Sequence, residues 1–177
     1  KALALVAESG TAGQKVTIVV DDTSVMRDVG TYLQSVLTDL GYDASVNSIS
    51  GNIHFTYIQN TNNKVQMSVS QWYQDYPAAS NFLNVLLGCA SFHPGSDSSV
   101  NISGYCNEEI DARMQAAMQL ATTDPDAANL EWAKIDQAMM AEAPIAPLFT
   151  PKHVDLVSKR LGNFLFSPQH QWLMSQA

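Results

Sequence analysis

Residues 16–49 read VTIVVDDTSVMRDVGTYLQSVLTDLGYDASVNSI, and this stretch decides the fold. Val16 to Val20 is a short apolar run rich in β-branched residues, which marks a buried strand. Asp21, Asp22, Thr23 and Ser24 then offer N-cap side chains. Beyond them Val25, Met26, Val29, Tyr32, Leu33, Val36, Leu37 and Leu40 recur at the spacing that puts apolar groups on one side of a helix. Gly41 falls where a helix C-cap glycine belongs, and Asp43 to Ile49 alternates like a second strand. Strand, helix and strand at this spacing form a βαβ unit, with a parallel strand pair and a right-handed crossover.

On the N-terminal side, Lys1 to Ala7 (KALALVA) reads as a helix ended by Gly10. The run is too short for the core of a signal peptide and has no cleavage pattern after it. A chain that opens inside a helix is expected to be an excised domain, with any export signal or lipid anchor upstream. On the C-terminal side, residues 53–62 read as helical, and Val65 to Trp72 alternates like a strand. A helical stretch follows from Asn81 to Leu87, then a loop from Ser91 to Ser99 rich in Ser, Gly and Pro. Glu108 to Ala121 is a helix by its apolar spacing. Thr123-Asp124-Pro125 caps another that runs to about Ala143, where Pro144 and Pro147 stop it. Val154 to Val157 reads as a strand, and residues 160–177 as irregular or partly helical. The sum is a mixed α/β domain with helices on both faces of a sheet.

The chain has 177 residues, 46% of them hydrophobic and only 15% charged, which excludes a disordered acidic tail. A net charge of -8, with no cluster of Lys or Arg, argues against nucleic-acid binding. No apolar run is long enough for a membrane helix, which needs roughly 18 residues.

Met67 to Asn84, MSVSQWYQDYPAASNFLN, resembles a signature of the dipeptide- and oligopeptide-binding proteins that serve ABC importers, the family 5 extracellular solute-binding proteins. In that family a strand ends in Trp, an Asp-Tyr-Pro-like turn follows, and Asn-Phe-Leu opens the next helix. Trp72, Asp75, Tyr76, Pro77, Asn81, Phe82 and Leu83 match that order. The resemblance extends to Asn107–Asp111 (NEEID), the helix from Ala127 to Ala143, the stretch from Ala143 to Leu148, and upstream KALALVAESG. Many members carry a second acid and a proline where this chain has Ala78-Ala79-Ser80. That departure bears on the shape of the turn and on ligand class, not on Asp75.

The resemblance implies one lobe of a type II periplasmic-binding-protein-like fold. On this reading residues 1–177 are a single C-terminal lobe, the N-terminal lobe is absent, and 154–177 return toward it. Asp75 resembles the acid that pairs with a ligand's α-amino group, a pairing strengthened where a cleft excludes water. Alternatively it only caps the helix after Pro77. Trp72 and Tyr73 adjoin it at a strand end, and since successive strand residues face opposite ways, Trp72 is the one favoured for the cleft. Certain relatives have a cysteine pair where this chain has Cys89 and Cys106, which implies a disulfide; two buried free thiols are the alternative.

His93 lies near Cys89, but a structural zinc site needs four ligands at tighter spacing. Nothing brings His54, His153 and His170 together, so neither a metal nor any other cofactor is expected. Asn101-Ile102-Ser103 fits the N-glycosylation triplet by chance, in a loop read as surface. Met114, Met118, Met139 and Met140 sit at helical spacing and read as core. No nucleophile elbow, zinc-protease motif, phosphate loop or dinucleotide fingerprint is present, which lowers the prior for an enzyme.

The implied function is capture of short peptides or similar amine-bearing solutes between two lobes, for delivery to an ABC permease. The implied place is periplasmic or extracellular. The tail from about Val154 is expected either to pack poorly or to recruit a second copy of the chain. Two rivals stand beside this: a sensing lobe of a regulatory protein, and a small α/β enzyme built on the 72–75 turn.

Overall fold

The computed structural model describes residues 1–152, 154–167 and 171–172, which fall into two compact units. One comprises Lys1–Gln71 with Ala90–Gly104; the other comprises Trp72–Cys89 with the chain from Tyr105 onward.

In the first unit, α1 (Ala2–Ser9) stops at Gly10, whose φ of 67° is open to glycine at no steric cost. Next comes β1 (Lys15–Asp21), in which Ile18, Val19 and Val20 are all but inaccessible to solvent. α2 (Ser24–Asp39) is capped by Thr23, whose side chain accepts from the Met26 N–H. It ends in a Schellman motif: Gly41, at φ 95°, donates to the Thr38 carbonyl, and Tyr42 donates to that of Leu37. β2 (Asp43–Ile49) then pairs parallel with β1 along its whole length, from Lys15↔Asp43 to Asp21↔Ile49. The crossover unit legible in residues 16–49 is therefore present end to end.

α2 lays Met26, Val29, Leu33 and Leu37 over Ile18, Val20 and Val46. Its Gly30 comes so close to the sheet that a Cβ there would lie 3.1 Å from methyl groups of both Val20 and Val46. The apolar stripe is wider than the face the sheet covers, and Val25, Tyr32 and Val36 stay exposed. α3 (Gly51–Gln59) lies against β1 and buries His54, Ile58 and Gln59.

β3 (Met67–Ser68) adds to the other side of β1 in parallel, giving the order β2-β1-β3. The strand expected through Trp72 is thus much shorter. β1 ends at Asp21, and the edge pairing with it closes with the Val69 N–H donating to the Val19 carbonyl. The surface expectation for Asn101 also fails: Asn101 and Ser99 are wholly buried in the 90–104 segment, so the glycosylation triplet is closed to modification in the folded chain.

The second unit opens with a 3₁₀ turn at Ala79–Asn81 and α4 (Leu83–Leu87), followed by α5 (Glu108–Leu120) and α6 (Pro125–Ala141). Asn107 caps α5 by accepting from Glu109 and Ile110, and Asp124 caps α6 by accepting from Ala127, with Pro125 in the first turn. Leu87, Ile110, Met114, Ala117, Trp132, Ile135 and Met139 form the core between these helices. Met118 and Met140 pack at its margin, as the methionine spacing implies. Arg113 donates through Nε and Nη2 to Oε1 of Glu131, tying α5 to α6, and Lys134 reaches Oε2. Those two cations, Arg113 first, hold the Glu131 carboxyl below its ordinary value.

Val154–Val157 forms no strand, and Val154 and Leu156 are almost fully exposed. The region read as irregular or partly helical holds instead an antiparallel pair, β4 (Phe166–Ser167) with β5 (Gln171–Trp172). The fold class is α/β with a parallel sheet, as the sequence indicates.

Candidate functional site

Chain geometry around residues 72–83 follows from one buried amide. Asn81 is only 1% exposed, and burying an amide is costly unless its donors and acceptors are met. Its Oδ1 accepts from the Asp75 backbone N–H at 2.9 Å and from the Trp72 indole Nε1 at 3.4 Å. Its Nδ2 donates to Oδ2 of Asp75 at 3.0 Å. Two N–H donors on one side and a carboxylate on the other permit only this orientation of the amide. The turn is closed further by the Ala78 N–H donating to the Tyr76 carbonyl and by Ser80 Oγ donating to the Tyr76 hydroxyl.

Asp75 itself is exposed, Trp72 half-buried, and Tyr73 half-exposed. Of the residues singled out in the sequence, Asp75 and Trp72 therefore meet at one point, with Asn81 as the hub that sequence reasoning aligned but gave no role. Helix capping is not how the Asp75 carboxylate is used: it accepts from the Asn81 amide, and the Ala78 N–H goes to the Tyr76 carbonyl. Because β3 ends at Ser68, Trp72 and Tyr73 lie outside any strand, and strand alternation does not assign their faces.

A shallow, open depression of about 330 Å³ lies nearby in the same unit, lined by Ala79, Phe82, Leu83, Trp132 and Ala133, with Asn129 and Asp136 at its polar side. Neither Asp75 nor Trp72 lines it.

Cys89 and Cys106 are joined in a disulfide, with Cα atoms 4.5 Å apart. Asp111, in the first turn of α5, receives the Cys89 N–H on both carboxylate oxygens at 3.2 Å. The thiols are thus consumed by each other. His54 is buried in α3, while His153 and His170 lie outside the described residues. Among the described residues no group of three or more His, Cys, Asp or Glu side chains is placed to hold a metal ion. Burial, then the hydrogen bond and charge of Glu142, push the Tyr105 phenol above its ordinary value of 10.0.

Residues 72–81 thus present an exposed acid braced by a buried amide beside an indole. The fold is that of part of a periplasmic binding protein. Over 80% of its length the chain superposes on DppA of Helicobacter pylori, solved with the peptide STSA, at a TM-score of 0.69 and 19% identity, covering 27% of that protein. A dipeptide-binding protein from Pseudoalteromonas sp. SM9913, solved with Met-Leu, matches over 80% of the chain and 28% of its own, with TM-score 0.69 and 22% identity. OppA of Burkholderia pseudomallei matches over 82% of the chain and 27% of its own, with TM-score 0.69 and 23% identity. The chain thus spans about a quarter of the length of these solved structures. No curated protein sequence matches it.

Residues 1–94 match the bacterial extracellular solute-binding proteins, family 5 Middle, and the chain belongs to that family. Among the described residues no helix is long and apolar enough to cross a membrane.

Proposed function

We propose that this chain is the C-terminal lobe of the substrate-binding component of an ABC importer, and that it receives the amino group of a short peptide or similar solute at Asp75. In this reading residues 1–177 form one side of a cleft, and residues 154–177 lead toward a second lobe. Closure of two lobes about a hinge is stabilised by a ligand that contacts both, and the closed form is what a membrane permease accepts. The whole protein would work in the periplasm or outside the cell.

The observation that carries this reading is the exposed Asp75 carboxylate, held by Asn81 beside Trp72. A carboxylate already fixed in place meets an ammonium with less ordering cost, and gains strength once a closing cleft removes water. The group hydrogen-bonded to it is an amide, which neither accepts nor delivers a proton as an acid–base catalyst must, so a binding role is favoured over an enzymatic one. The similar structures support the same reading, since the proteins from H. pylori and Pseudoalteromonas were solved with peptides bound. Self-association of the tail has no support here and is no part of the proposal.

The test is mass spectrometry of what co-purifies with the complete protein under native conditions. Short peptides or other amine-bearing solutes, released on denaturation, are expected. A ligand without an amino group would overturn the assignment of Asp75.

A further inference from the structure

Resting on the reading of Asp75 as the amine acceptor, we propose that Asn81 is the positioning residue of the site, acting on the ligand only through Asp75. Asparagine is a favoured helix cap, and Asn81 stands just before α4. Yet its side chain caps nothing there; Oδ1 turns back to Asp75 N–H and Trp72 Nε1, and Nδ2 to Asp75 Oδ2. At 1% exposure it is out of a ligand's reach. Asp75, by contrast, is exposed, and a carboxylate at such a place would otherwise turn about its own side-chain bonds.

The amide removes that freedom in two ways. It pins the backbone of residue 75 through the N–H, and it occupies one carboxylate oxygen, leaving Oδ1 as the oxygen offered to an ammonium. A neutral donor suits this task better than Lys or Arg would. It orders the carboxylate without cancelling the charge the ligand must meet, whereas a cation at the same place would compete with the ligand. Asp at 81 would keep both acceptor contacts but set a second carboxylate against Oδ2.

The test is a double-mutant cycle in the complete protein, using Asn81→Ala and Asp75→Asn. Affinity is read by calorimetry for a set of di- to tetrapeptides with free amino termini and for their N-acetylated forms. Asn81→Ala is expected to weaken free-amine binding roughly tenfold, the size of one lost hydrogen bond to a charged group. In the Asp75→Asn background it is expected to cost less than about twofold, because the group it positions no longer carries charge. N-acetylated peptides are expected to show little change with either substitution. Asn81→Ser, which leaves a hydroxyl in the buried space, carries the same cycle if the alanine variant does not fold. Equal losses in both backgrounds would overturn the positioning role while leaving Asp75 as amine acceptor. No loss on Asn81→Ala would do the same. No effect of Asp75→Asn would remove the reading on which the proposal rests.

Discussion

Replacing both Cys89 and Cys106 by Ser should destabilise the folded chain by about 3 kcal/mol, and the figure follows from the length of the ring. The bond links positions 17 residues apart. In the chain-entropy argument a ring of that size removes on the order of 10 cal/mol/K from the unfolded ensemble, or about 3 kcal/mol near room temperature. Native contacts should offset little of the loss. Asp111 receives the Cys89 backbone N–H, which serine also supplies, and Cys106 is exposed, so a hydroxyl there stays wet. Urea unfolding followed by tryptophan fluorescence is the assay, because the half-buried Trp72 and the buried Trp132 report on it. With a urea slope of about 1–3 kcal/mol/M, the midpoint should fall by roughly 1–3 M, and the slope should rise as the unlinked unfolded chain expands. Dithiothreitol on the unmodified chain should reproduce the shift, and the denatured, unreduced chain should show no free thiol. A midpoint that does not move, with the bond verified as present, would refute the ring-entropy reasoning.

Ile135→Ala, at a fully buried core position, should cost about 2–5 kcal/mol by denaturation, while exposed Leu130→Ala on the same helix should cost under about 0.5. Gly30→Leu should destabilise the first unit by about 1–3 kcal/mol, since even its Cβ meets two fixed valine methyls and the rest of the side chain has nowhere to go. Glu131→Gln tests the α5–α6 ion pairs. The carboxyl is held below its ordinary value of 4.5, so its contribution is present above that value and is lost as pH falls through the lowered one. The variant should therefore melt below the unmodified chain at pH 7, and the gap in Tm should close in acid; a gap independent of pH would count against the pairing.

Much of the fold could be read because local signals agreed with one another. In residues 16–49 the β-branched run, the Thr23 cap, the stripe on α2 and Gly41 all name the same unit, and each does what its chemistry suggests. The helices α5 and α6 were equally plain from Asn107, Asp124 and Pro125. What failed was decided by distant partners. Val65–Trp72 has a strand's alternation, but how much of it pairs depends on where β1 ends. Val154–Val157 has strand-like composition and stands exposed, with no strand beside it among the described residues. At the site, the acid and aromatics were assigned roles through the family pattern, whereas Asn81 was aligned by it without one. An asparagine looks the same in sequence whether it lies on the surface or spends its whole amide on a carboxylate and an indole. Asn101 misled in the same way, since a triplet read as surface is buried.

The most direct test is calorimetric titration of the complete protein with its co-purifying solute, before and after Asp75→Asn. Taking the charge away from a cleft contact should cost at least about 2 kcal/mol, so Kd should rise about 30-fold or more, with the fold and Tm preserved. An unchanged Kd would contradict the assignment of Asp75 as the group that receives the ligand's amine.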